Sequence, residues 1–159
     1  PEASQETILI VADEKQPSEQ LQKLTRVLSR SFPKIRVRTL WLTKRSLLNS
    51  IDWMKVFSET KLCVNLMARR FDWPLLALEA IHWKIPLLFD ANNHSLNEML
   101  PRSPLRLSHF LVNQPDLATL RLYTDQARQQ LKEAGSFEPF SMARQYREVY
   151  KRLGLTISN

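Results

Sequence analysis

The sequence predicts an α/β domain built on an open, parallel, Rossmann-like sheet with helices on both faces, and three observations carry that expectation. Thr7-Ile8-Leu9-Ile10-Val11-Ala12 is a continuous apolar, largely β-branched run, the pattern of a strand buried on both faces, as parallel sheets require. Segments of strand and helix character alternate along most of the chain. Hydrophobic residues make up 43% and charged residues 25% of the 159, a balance that supports one well-buried core and is unlike that of a disordered chain.

After the first strand, Pro17-Ser18 opens a helix whose Leu21, Leu24, Val27 and Leu28 recur at helical spacing until Phe32-Pro33 stops it. Ile35 to Leu42 alternates like a strand, and Ser46 to Ser58 returns to helical spacing through Leu47, Leu48, Ile51, Met54 and Phe57. Leu62 to Met67 is the next buried strand. Pro74 to Trp83 reads as helix and Pro86 to Phe89 as strand. Ser95-Leu96-Asn97-Glu98 has the spacing of a capping box that opens a short helix. His109 to Val112 reads as a last short strand. Two helices finish the chain, Leu117 to Ala134 closed by Gly135, and about Ser141 to Leu153 closed by Gly154. Phe140, Ala143, Tyr146 and Val149 or Tyr150 stripe the second. Residues 1–159 thus read as one domain, and a first residue that is Pro1 and not Met marks it as an expected piece of a longer protein.

Composition excludes several functions. Average glycine usage of about 7% would give about eleven glycines in this length, yet only Gly135 and Gly154 occur. The loop after the first strand is Asp13-Glu14-Lys15-Gln16-Pro17-Ser18, without the glycines that let backbone approach phosphate in a dinucleotide fingerprint or a P-loop. NAD, FAD and ATP binding by those routes is ruled out. Cys63 is a single cysteine in an apolar run and reads as a small buried hydrophobe, so a disulfide within the chain is excluded and a reducing, cytoplasmic setting fits. His82, His94 and His109 are not spaced like metal ligands. The run of about 18 to 20 apolar residues that a membrane span needs is missing.

The net charge is +7, a bias toward phosphates, nucleic acid or an anionic membrane surface. Basic residues gather at Lys34-Arg36-Arg38, Lys44-Arg45, Arg69-Arg70 and along the final helix. They lack the interleaved aromatics of a single-strand binder, so nucleic acid is not the expected partner. Trp41, Trp53, Trp73 and Trp83 read mostly as core or interface aromatics, with Trp73 free to stack on a base.

The run Leu75-Leu76-Ala77-Leu78-Glu79-Ala80-Ile81-His82-Trp83-Lys84-Ile85-Pro86-Leu87-Leu88-Phe89-Asp90 resembles the signature of the sugar-nucleotide-binding half of GT-B retaining glycosyltransferases. There a Glu-Gly-Phe-Gly-like turn precedes a Leu-Glu-Ala-Met helix and a Pro-Val-Val strand. Trp53 to Leu66 is similar to the family's Ala-rich helix and following strand, and Tyr146 and Tyr150 resemble its closing helix. The likeness runs from Thr7 to Leu153.

The resemblance implies a C-terminal GT-B domain that binds a nucleotide sugar without a metal or other cofactor and transfers a hexose with retention to a glycan, lipid-linked or protein acceptor. An N-terminal domain absent from these 159 residues would supply the acceptor site. Glu79 matches the carboxylate that holds the ribose hydroxyls, a role that suits a carboxylate near a helix N-terminus accepting two hydrogen bonds from a diol. Phe71 falls where the family's first Glu belongs, with Asp72 one step away. Trp73 and Pro74 fall on the Phe and second Gly of the turn. Arg69, Arg70 and Lys15 are the cations offered to the diphosphate, although Asp13 sits near the position of the family's Arg. Asn92-Asn93 stands for a Gly-Gly pair, since Asn tolerates positive φ, and Glu98 matches the Glu that follows that pair. The stretch between Phe32 and Trp53 is short by about one strand and helix unit. His94 is a further candidate for a sugar or phosphate.

Two alternatives stay open. A degenerate domain of this fold would act as a scaffold or regulatory subunit, paired with an active glycosyltransferase. A basic module would bind nucleic acid or sit peripherally on an anionic membrane.

Overall fold

The computed structural model describes residues 5–13, 18–42, 53–66, 80–81, 83–91 and 93–133. Four strands, β1 (Thr7–Asp13), β2 (Arg36–Leu42), β3 (Thr60–Asn65) and β4 (Leu87–Phe89), form one sheet in the order β2-β1-β3-β4. Every pairing is parallel. The expected α/β class and open parallel sheet are therefore present.

Position in the sheet accounts for each strand's composition. β1 has neighbours on both sides, and Ile8 to Ala12 are all but fully buried. β3 is buried from Leu62 to Asn65, so both of its faces are covered. β2 lies at the edge and alternates, with Arg36 and Arg38 exposed while Val37 and Thr39 are half-buried. β4 is short because Pro86 has no N–H to give. Its carbonyl instead accepts from Cys63 N–H at 2.9 Å, and pairing begins at Leu87.

Parallel strands need crossovers, and helices provide them. Helix α1 (Ser18–Ser31) buries Leu21, Leu24 and Leu28, three of the four residues whose spacing predicts it. Glu19 in its first turn and Arg30 in its last complement the helix dipole. The Lys23–Glu19 pair at 3.6 Å lies in solvent and adds at most about 0.5 kcal/mol. Helix α2 (Trp53–Glu59) buries Phe57 and runs directly into β3, where Thr60 Oγ1 donates to the Val56 carbonyl at 2.6 Å. The expected helix from Ser46 begins outside the described residues.

Beyond β4 the chain departs from expectation. Helix α3 (His94–Met99) is capped by Asn93, whose Oδ1 accepts from Leu96 N–H at 3.1 Å. The expected capping box at Ser95 is replaced by a cap two residues earlier. The strand expected at His109 to Val112 is instead helix α4 (Leu107–Asn113). The edge position next to β4 is taken earlier, where Phe89 N–H donates to the Leu105 carbonyl at 3.1 Å and Phe89 bridges Arg106 in parallel. Phe110 is fully buried and stacks on Phe32, ring centroids 6.1 Å apart, which ties α4 to the end of α1. Gln114 then turns left-handed and Pro115 ends the helix.

Helix α5 (Leu117–Glu133) presents Leu120, Thr124, Ala127 and Leu131 to the core on one stripe. Asp116 Oδ1 accepts from Thr119 N–H at 2.8 Å at its start, and that hydrogen bond lowers the Asp116 carboxyl below its ordinary range. Thr124 is buried at no polar cost because its hydroxyl donates to the Leu120 carbonyl at 2.8 Å. The expected closing helix from Ser141 lies outside the described residues. Trp41 and Trp83, expected in a core or interface, are exposed: one lies on the edge strand and the other in a turn.

Cys63 is fully buried at the centre of β3, and desolvation pushes its thiol up from 9.0 to about 12. It is a packing residue, inert as a nucleophile at neutral pH. A thiol reagent should label the unfolded chain promptly and the native chain only at the rate of opening. Prompt native labelling would contradict this burial. A thiol raised in the fold also contributes stability that is complete below about pH 9 and is lost as pH rises toward about 12, because only the unfolded chain ionises there.

Candidate functional site at the carboxyl edge of the sheet

In an open α/β sheet the ligand crevice lies outside the carboxyl ends of the strands, where the strand order reverses. Here the chain passes from β1 to β2 on one side, then returns across β1 to β3 on the other. The reversal falls between β1 and β3. Both strands are well held to their ends, with Val11 opposite Asn65 and Leu66 N–H donating to the Val11 carbonyl at 3.0 Å.

Asn65 ends β3 beside this crevice and is only 1% exposed. A carboxamide in the last position of a central strand differs in kind from the Leu62, Cys63 and Val64 before it. It offers both donor and acceptor where apolar packing would otherwise be expected. The sequence carries the signal, a polar residue inside an apolar run, but hydrophobic pattern alone does not set that residue apart from the rest of the strand.

At the end of β4 a second polar structure closes the edge. Asn97 Nδ2 lies within hydrogen-bond reach of the carbonyls of Asp90, Ala91 and Asn93, at 3.3, 3.1 and 2.8 Å. Asn93 N–H donates to the Asp90 carbonyl at 3.0 Å and Asp90 N–H to the Asn65 carbonyl at 3.4 Å. Asn97 thus pins the loop that leaves β4, a role that the sequence did not reveal.

Of the sequence candidates, Asn93 is described. Its φ is −81°, so it does not take the positive φ expected of a stand-in for glycine. It is buried and its amide oxygen is committed to the cap of α3. The short polar side chain serves helix initiation, which competes with the loop role. Glu98, one turn along α3, is exposed. Glu79, Arg69, Arg70, Asp72, Trp73, Lys15 and Asn92 lie outside the described residues, as do Phe71 and Pro74.

The segment that follows Glu79 is described where it joins β4. Ile85 N–H donates to the Ala80 carbonyl at 2.8 Å and Lys84 N–H to the Ile81 carbonyl at 3.0 Å, with Lys84 at φ 58°. These two bonds make a Schellman closure in which buried Ala80 and buried Ile85 meet across the turn. The position that glycine usually fills is occupied by lysine. Ala80 and Ile81 are therefore helical, and Trp83-Lys84 is a turn.

Among the described residues no group of three or more His, Cys, Asp and Glu side chains is placed to hold a metal. No helix among them is long and apolar enough to cross a membrane. Comparison with known protein families, with characterised proteins and with solved structures finds no match to this chain.

Proposed function

We propose that this domain is the nucleotide-sugar-binding half of a GT-B-type glycosyltransferase, with the donor at the carboxyl edge of the sheet and the acceptor brought by a second domain. The observation that carries the reading is the strand reversal between β1 and β3. Lys15 follows β1 by two residues in sequence, and Arg69 and Arg70 follow β3 by four and five. Cations on the two segments leaving a switch point suit a diphosphate. Support also comes from the helix end at Ala80-Ile81 and the Pro86-led strand β4, the two parts of the Glu79 segment that the described residues include. Glu79 would accept from the ribose diol, and the basic residues would offset charge on the departing diphosphate. Such a reaction needs no resident cofactor, because the sugar nucleotide is itself the substrate.

A second reading is a degenerate, scaffolding domain of the same architecture. Asn93 favours it: its buried side chain serves a helix cap at a position where the resemblance calls for open glycine backbone. Calorimetric titration of the chain with UDP, GDP and their hexose conjugates separates the two. Donor recognition predicts saturable binding to one base series, weakened at least about tenfold by Glu79→Ala, equivalent to about 1.4 kcal/mol. Absence of binding by the folded chain, and by the chain joined to its acceptor domain, would move the assignment to the scaffold.

A further inference from the structure

The exposed edge of β2 has two faces of different chemistry. Among the described residues β2 pairs only with β1, which leaves its outer row of N–H and C=O groups without a strand partner there. Arg36 and Arg38 stand exposed at alternate positions, with exposed Lys34 just before them. Arg36 Nη1 lies 3.5 Å from Gln5 Oε1. The ion pairs among the described residues are Lys23–Glu19 and Lys61–Glu6, so neither arginine is neutralised by a carboxylate there.

On the opposite face Thr39 and Trp41 line a groove of about 410 Å³ with Leu21, Gln22 and Thr25 of α1. Trp41 is 46% exposed beside it. An open strand edge with a large exposed aromatic is a pairing hazard in isolation. Both features lie on the same strand and are offset by one residue, so a single added strand would meet them both.

We propose that β2 receives an extended segment of a partner protein in which acidic and apolar residues alternate, added to the sheet as a further strand. Main-chain hydrogen bonds to β2 would hold it, and its period of two would send alternate side chains to opposite faces. Acidic residues then lie beside Arg36 and Arg38, and apolar ones enter the groove beside Trp41. Directly opposed side chains sit about 5 Å apart at Cβ, close enough for charge to select the partner. A second copy of this chain is disfavoured, because self-pairing would set Arg36 and Arg38 of one copy near those of the other. The net charge of +7 also steers an acidic segment toward the domain.

The test titrates the full chain into labelled peptides of about eight residues, the length of an ordinary strand, alternating Glu with Val, Gln with Val or Lys with Val. The Glu peptide should bind saturably and change Trp41 fluorescence. The Gln peptide, or the Glu peptide in high salt, should bind about tenfold more weakly. The double variant Arg36→Glu, Arg38→Glu should reverse the preference toward the Lys peptide, and both side chains are exposed, so its thermal melt should match the parent. Trp41→Ala should weaken every peptide alike. The proposal is overturned if no peptide binds the folded chain, or if the charge-reversed variant keeps its preference for Glu. It also falls if the parent binds no peptide while Arg36→Ala, Arg38→Ala self-associates, for then the arginines only guard the edge.

Discussion

Phe110→Ala should lower the free energy of unfolding by about 3–5 kcal/mol, the range for truncating a buried aromatic. Phe110 is fully buried and its ring lies on Phe32 at 6.1 Å with the planes 20° apart, so the substitution removes both burial and an aromatic pair. Phe32 itself follows α1, its N–H bonded to the Leu28 carbonyl at 2.9 Å, and the loss would loosen the end of that helix. Urea unfolding should show a lower midpoint at an unchanged slope. The companion variant Val112→Ala distinguishes two backbones. On a strand, positions 110 and 112 share a face, and both truncations would be costly. On helix α4 they diverge: Val112 is 82% exposed, and its truncation should stay within about 0.5 kcal/mol. Comparable losses at the two positions would refute the helix.

Replacing Lys84, Arg102 and Gln114 together with glycine should raise stability by about 1.5–3 kcal/mol. These residues hold φ of 58°, 58° and 43°, the left-handed region that costs a residue with a Cβ about 1–2 kcal/mol. Glycine removes that cost but gains entropy in the unfolded chain, so the net benefit per site is nearer 0.5–1 kcal/mol. All three side chains are exposed, so little packing is lost with them. Lys84 and Gln114 each close a helix end through backbone bonds that glycine preserves, Lys84 N–H to the Ile81 carbonyl and Gln114 N–H to that of Phe110. The three sites close different turns, so their effects should add to within a few tenths of a kcal/mol. Thermal denaturation of the single and triple variants reads the effect. A triple variant that melts at or below the parent's temperature would show that the turns are not strained.

Glycine scarcity was plain in the sequence, but its consequence was not. Two glycines in 159 residues excluded fingerprint loops for dinucleotides and ATP. That the chain still makes left-handed turns, with Lys, Arg and Gln, depends on neighbouring contacts that repay local strain. Asn93 shows a similar ambiguity. Adjacent asparagines suggest either a loop of unusual φ or a helix cap, and local chemistry supports both. The choice is made by Leu96, which is fully buried and brings its N–H onto the Asn93 oxygen.

The candidate site was legible in part. The sequence pattern offers the charged residues that follow β1 and β3 and the Glu79 segment that leads into β4; of these, the described residues include only the stretch from Ala80 that joins β4. Asn65 and Asn97 were missed because their importance is positional. Asn65 matters by ending the strand next to the reversal, and Asn97 by reaching three carbonyls of one loop. Neither has a spacing signature.

By itself the sequence determined the α/β class, the burial of β1 and β3, the alternation of β2, the buried stripe of α1 and the helical character of α5. These follow from hydrophobic period, which reports how many faces of an element are covered. Tertiary structure decided the strand order, and with it the crevice between β1 and β3. It also decided that His109 to Val112 is helical, because a short apolar run fits either period and the edge beside β4 was already occupied by Leu105 and Arg106.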